Sequence, residues 1–124
     1  MGRMYVHLRL HTEFSVVDGT NLVDDIVEAA AADGQPALAI TDLNNLFGAI
    51  KFYKAARSAG VKPLIGAEVM VQGLCKDPVH MARLVLLVQS HQGYLNLCEL
   101  LARSWTQSPV KTHAACKAAW LQEL

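Results

Sequence analysis

The sequence predicts an α/β fold in the order β-α-β-α-β-β-α. Three observations carry this. Short apolar runs alternate with amphipathic helical stretches, the pattern of a mostly parallel sheet with right-handed crossovers. Gly34 and Gly60 stand where the two early helical stripes stop. His11, Asp42 and Glu68 fall at or near the ends of predicted strands, where α/β folds place their chemistry.

The first element is YVHLRLH, residues 5–11. Read in twos, Val6, Leu8 and Leu10 form an apolar face, and Tyr5, His7, Arg9 and His11 a polar one, which predicts a β-strand. Asp18-Gly19 makes a turn, and Thr20 or Asn21 can cap the helix that follows. Asp24 and Asp25 sit in its first turns, and Leu22, Val23, Ile26, Val27, Ala30 and Ala31 form its stripe. Ala37-Leu38-Ala39-Ile40, ending in Thr41-Asp42, suits a strand buried on both faces. In the second helix Phe47, Ile50, Phe52, Tyr53 and Ala56 alternate with Lys51, Lys54 and Arg57.

Residues 61–71 read as two strand pieces broken at Gly66, and Leu84 to Val88 as another buried strand. Gly93 lies early in a last clear helix with Tyr94, Leu97, Leu100 and Leu101 on one face and Trp105 closing it. From Thr106 onward the tail reads as irregular, save that Trp120 to Leu124 could begin another element.

Composition limits the function classes. The 124 residues are the length of one ordinary domain, and 52% are hydrophobic, enough for a core. Eleven Lys and Arg balance eleven Asp and Glu. A neutral chain offers no electrostatic grip on a phosphate backbone, so no direct DNA grip is expected. Cys75, Cys98 and Cys116 show no zinc spacing and favour free thiols in a reducing compartment. With no long apolar run and no leader pattern, a cytoplasmic, non-membrane protein is expected.

Four blocks, HLRLHTEFSVVDG, PALAITDLNNLFGAIKFYKAA, GVKPLIGAE and RLVLLVQSHQGYLNLCELLAR, occur in that order between about residues 5 and 105. Together they resemble the N-terminal PHP (polymerase and histidinol phosphatase) domain of bacterial DNA polymerase III alpha subunits. The resemblance implies a distorted (β/α)7 barrel, whose metal-dependent members bind a cluster of ions at its mouth. Residues 1–124 are then the N-terminal portion of a PHP domain, with 106–124 as its weakly similar tail.

The resemblance also implies ligand positions. The His-x-His motif falls on Arg9 and His11, so its first member is lost. A downstream ligand falls on Asp18, which is retained. The motif Thr-Asp-His-Gly reads Thr41-Asp42-Leu43-Asn44, placing Leu43 at the histidine. Glu68 is retained, and the histidine that begins the fourth strand is Arg83. His11, Asp18 and Glu68 are therefore vestigial metal positions, with Arg9, Leu43 and Arg83 replacing ligands. A guanidinium has no lone pair to give a cation, but it can pair with Asp18 or Glu68. No cofactor and no catalytic residue are expected.

This replacement pattern resembles the proteobacterial replicative subunits, in which the PHP domain is a metal-free scaffold that docks the proofreading exonuclease subunit, among the other holoenzyme parts. The alternative is a PHP phosphoesterase or 3′–5′ exonuclease using manganese or zinc. Beside these stand structural readings: His11 as a satisfied strand-end histidine, Asp18 as turn chemistry, Asp42 as a helix cap, and Lys51, Lys54 and Arg57 as a solvated face. His7 lies outside the matched ligand set and reads as a surface or hydrogen-bonded residue, His80, His91 and His113 follow no ligand spacing, and Cys98 reads as core. A barrel of this type takes about twice this length. The chain is thus expected to be a fragment of a DNA-directed DNA polymerase, too short to close its barrel and inactive alone. An unclosed sheet would favour self-association.

Overall fold

The computed structural model describes residues 6–14, 21–73, 81–109 and 114–124. Its elements are α1 (Val23–Ala32), β1 (Ala37–Leu43), α2 (Ala49–Ala59), β2 (Lys62–Gln72), β3 (Met81–Leu87), α3 (His91–Thr106), β4 (Cys116–Lys117) and α4 (Ala118–Glu123). β2 is central. It pairs in parallel with β1 on one edge and antiparallel with β3 on the other, and β4 joins in parallel at Val71↔Cys116. Because β1 stops opposite Glu68, β4 takes over the edge that β1 leaves. The sheet is open, and the α/β class stands.

Two apolar clusters hold it together. Val23 and Val27 of α1 and Phe52 and Ala56 of α2 pack with Leu38 and Ile40 of β1. Leu97, Leu100 and Leu101 of α3 and Trp120 of α4 pack with Ala67, Val69 and Val71 of β2. β1 is buried along its whole length, as its continuous apolar run predicts. Gly34 and Gly60 take φ values of 74° and 80° just past their helices, the left-handed geometry expected of helix-ending glycines.

Several expectations need correction. Residues 6–12 run beside β1 without forming a regular strand. Ala39 N–H donates to His7 O at 3.0 Å, but Thr41 N–H donates to Leu10 O at 2.9 Å, where even spacing would use Arg9. One extra residue is inserted, as in a bulge. Leu10 N–H then turns to the Thr41 hydroxyl at 2.8 Å instead of a backbone carbonyl. The apolar face is broken with it, and Leu8 is 48% exposed.

Gly66 does not break its strand; β2 is continuous from Lys62 to Gln72. Its need for glycine is close approach, since a Cβ there would lie 2.3 Å from Leu86 O. The predicted β3 strand forms, but as a half-buried edge with Leu87 exposed. Asn21 does not cap α1, whose N-cap is Leu22; its amide donates to His11 O at 3.2 Å. Thr20 lies outside the described residues. The tail, expected to be irregular before Trp120, contains β4, while α4 forms where Trp120 to Leu124 suggests another element. On α2 only Phe52 and Ala56 of the predicted stripe are buried. Cys98 is half-buried and Cys116 fully buried.

Candidate functional site

Alternation along the paired strands sets the site. Leu43 of β1 lies opposite Glu68 of β2, whereas Asp42 lies opposite Ala67. Successive side chains point to opposite faces, so Leu43 and Glu68 share one face and Asp42 takes the other. The 6–14 segment, laid along β1, sends residues to both.

On the first face Glu68 is the hub. Its side chain is 2% exposed. Oε1 accepts from Arg9 Nε at 2.9 Å and lies 2.8 Å from Arg9 Nη2, while Oε2 bonds His11 Nε2. Arg9 and His11 are two residues apart, so an extended backbone presents them together. Arg9 keeps 59% of its side chain in solvent and His11 only 13%. Leu43 is fully buried beside them.

The second face holds a cluster that sequence reasoning missed. Asp42 Oδ1 accepts from Thr12 N–H at 2.5 Å, and Oδ2 from the Thr12 hydroxyl at 2.7 Å. Both residues are buried. Asp42 was expected to cap a helix, but α2 begins at Ala49 with Gly48 as its N-cap. Instead Asp42 ties the 6–14 segment to β1. The usable signal was Thr12 beside the ligand-like His11, a hydroxyl able to satisfy a buried carboxylate.

At the end of β1, Asn44 takes φ 61°, the left-handed region that its glycine-equivalent motif position serves. Its N–H donates to Glu68 O at 2.8 Å, and its carbonyl accepts from Trp105 Nε1 at 2.8 Å. The strand end that carries Leu43 is thereby fixed against both β2 and α3.

Of the other predicted positions, Arg83 lies on β3, exposed and opposite Met70. His7 and His91 are exposed. Asp18, His80, His113 and Cys75 lie outside the described residues. Among the described residues no group of three or more His, Cys, Asp or Glu is placed to hold a metal ion. The donors that do meet fit a divalent ion poorly. Arg9 sets a fixed positive charge on Glu68, and Leu43 supplies hydrocarbon where a ligand would stand.

An open sheet with chemistry-bearing residues gathered at strand ends and on the segment beside β1 is an α/β architecture of the kind that places its chemistry at strand ends. The chain belongs to the PHP domain family, whose profile matches residues 7–124. It is similar to the N-terminal region of DNA polymerase III alpha subunits from many proteobacteria. The subunit from Pseudomonas aeruginosa is 41% identical over 119 residues, covering 96% of this chain and 10% of that protein. The chain thus spans about a tenth of the length of the curated relatives it matches.

Solved structures agree on the fold. An amidohydrolase from Chromobacterium violaceum, with bound sulfate and no metal, superposes with a TM-score of 0.64 at 26% identity, covering 80% of this chain and 32% of that one. A proposed metal-dependent phosphoesterase from Bifidobacterium adolescentis gives 0.64 at 21% identity, covering 86% and 35%. The latter likeness concerns fold alone. No helix among the described residues is long and apolar enough to cross a membrane.

Proposed function

We propose that this chain is the PHP segment of a replicative DNA polymerase III alpha subunit, working in the cytoplasm as a metal-free scaffold that docks the proofreading exonuclease subunit. The observation that carries it is the state of Glu68, the retained ligand position. One of its oxygens is bonded to Arg9 and the other to His11. A carboxylate engaged in this way stabilises the packing of the 6–14 segment across β1, and a divalent cation would have to displace a guanidinium to reach it. In this reading His11, Asp18 and Glu68 are vestigial metal positions that now serve structure. Polymerisation belongs to other parts of the subunit, and the segment supplies no DNA grip of its own.

Elemental analysis of the purified chain, with phosphoesterase assays with and without added manganese, tests the metal-free half. The expected result is substoichiometric metal and no manganese-stimulated release of phosphate. Stoichiometric manganese or zinc with activity would overturn it in favour of a PHP phosphoesterase or 3′–5′ exonuclease. Binding of the purified proofreading subunit to the chain, read by sedimentation, tests the docking half.

A further inference from the structure

We infer that the outward side of α2, with Tyr94 of α3, is a docking surface for an acidic protein segment that carries apolar side chains. The inference rests on the proposed docking function and names its surface and the chemistry of its partner.

The α2 stripe is only half used by the core. Phe52 and Ala56 are buried, but Phe47 is 74% and Ile50 73% exposed, and Tyr53 is exposed with them. Ile50, Tyr53 and Tyr94 line one open cleft of about 260 Å³ together with Lys54, and Phe47 stands in the turn just before α2. Large apolar side chains clustered in solvent mark an interaction surface more than a scatter of single ones does.

Charge chooses the partner. From Leu43 to Ala67 there is no Asp or Glu, while Lys51, Lys54, Arg57 and Lys62 are all cationic, in a chain whose net charge is zero. Glu13 reaches Lys51 at 3.4 Å from another segment, and Arg57 lies 5.7 Å from the Tyr53 ring centre. Lys54 stands at the cleft itself. A partner with carboxylates around an apolar anchor complements both features.

Two other occupants fit less well. A second copy meeting patch to patch would set these cations against each other, because a two-fold contact is self-complementary. Single-stranded nucleic acid wants flat stacking platforms. Here an aliphatic side chain, Ile50, is among the most exposed anchors, and Arg57 already lies against Tyr53.

The test is fluorescence anisotropy on the 124-residue chain. The probe is a short fluorescein-labelled peptide of aspartates and glutamates carrying phenylalanine and leucine. The expected result is saturable binding, weakened about tenfold or more by Ile50→Glu and by Lys54→Glu, with unchanged far-ultraviolet circular dichroism. Gln122→Glu, on α4, should bind as the parent does. A probe of equal charge without apolar residues should bind at least about tenfold more weakly.

Equal binding by all variants would overturn the inference, as would preference for labelled oligothymidine. So would a dimer of the parent chain that Ile50→Glu converts to monomer. The proofreading subunit is run in parallel. If it binds the parent and both variants equally, this surface is wrong while the docking function stands. If it binds none of them but the acidic apolar peptide responds as expected, the surface stands and the proofreading subunit is not its partner.

Discussion

The Arg9 guanidinium lies against a single oxygen of Glu68, with Nε at 2.9 Å and Nη2 at 2.8 Å, leaving the other oxygen to His11. This division of one carboxylate between two neighbours of the same extended segment gives the first prediction. Glu68→Gln should destabilise the chain by about 1–2 kcal/mol, and Arg9→Met by about 1 kcal/mol or less, because the arginine side chain is largely in solvent. A double-mutant cycle in urea should give a coupling of about 1 kcal/mol that shrinks as salt is raised. Zero coupling at low salt would mean that the ion pair contributes nothing to the fold.

The Asp42–Thr12 tether should matter more, because both partners are buried. Asp42→Ala leaves a buried N–H and a buried hydroxyl without their acceptor and should cost about 2–3 kcal/mol. Amides at Ala39 and Thr41, which bond the carbonyls of the tethered segment, should lose hydrogen-exchange protection before those of α3. Uniform loss of protection along the chain would refute a local tether.

Gly66→Ala should be severe. Its new methyl would lie 2.3 Å from Leu86 O and 2.9 Å from Leu87 Cδ2, so β3 would have to move off β2. A loss of about 3 kcal/mol or more is expected by chemical denaturation. Gly34→Ala meets no atom within 4 Å and bears only the strain of φ 74°, so it should cost less.

Stability should fall in alkali through Cys116. Burial pushes its thiol from 9.0 to about 11. An acid whose folded pKa is raised keeps its proton in the folded chain after the unfolded chain has lost it. The stabilisation is therefore full below pH 9 and is lost as the pH rises to 11. About 2–3 kcal/mol should disappear over that window. Cys116→Ala, less stable throughout because of its cavity, should lack this step in a urea midpoint series. An identical slope in both proteins would exclude Cys116 as its source.

What the sequence determined by itself was local or periodic. The continuous run at Ala37–Ile40 specified a strand buried on both faces, and glycine chemistry placed the ends of the first two helices. Alternation put Arg9 and His11 on one side, and motif spacing marked Glu68, so the members of the Glu68 cluster were visible before their geometry was. Tertiary structure decided which partners those groups took. The bulge beside β1 depends on a side-chain hydroxyl, Thr41, replacing a backbone acceptor, and no periodicity encodes that. Asp42 reads as a helix cap until Thr12, thirty residues away, is folded against it. Gly66 looks like a strand break unless Leu86 is already packed over it. The apolar stripe of α2 likewise divides into core and surface only when α1 and the sheet cover one side of it. In each case the deciding energy is a contact between residues distant in sequence, set by packing and by the satisfaction of buried polar groups.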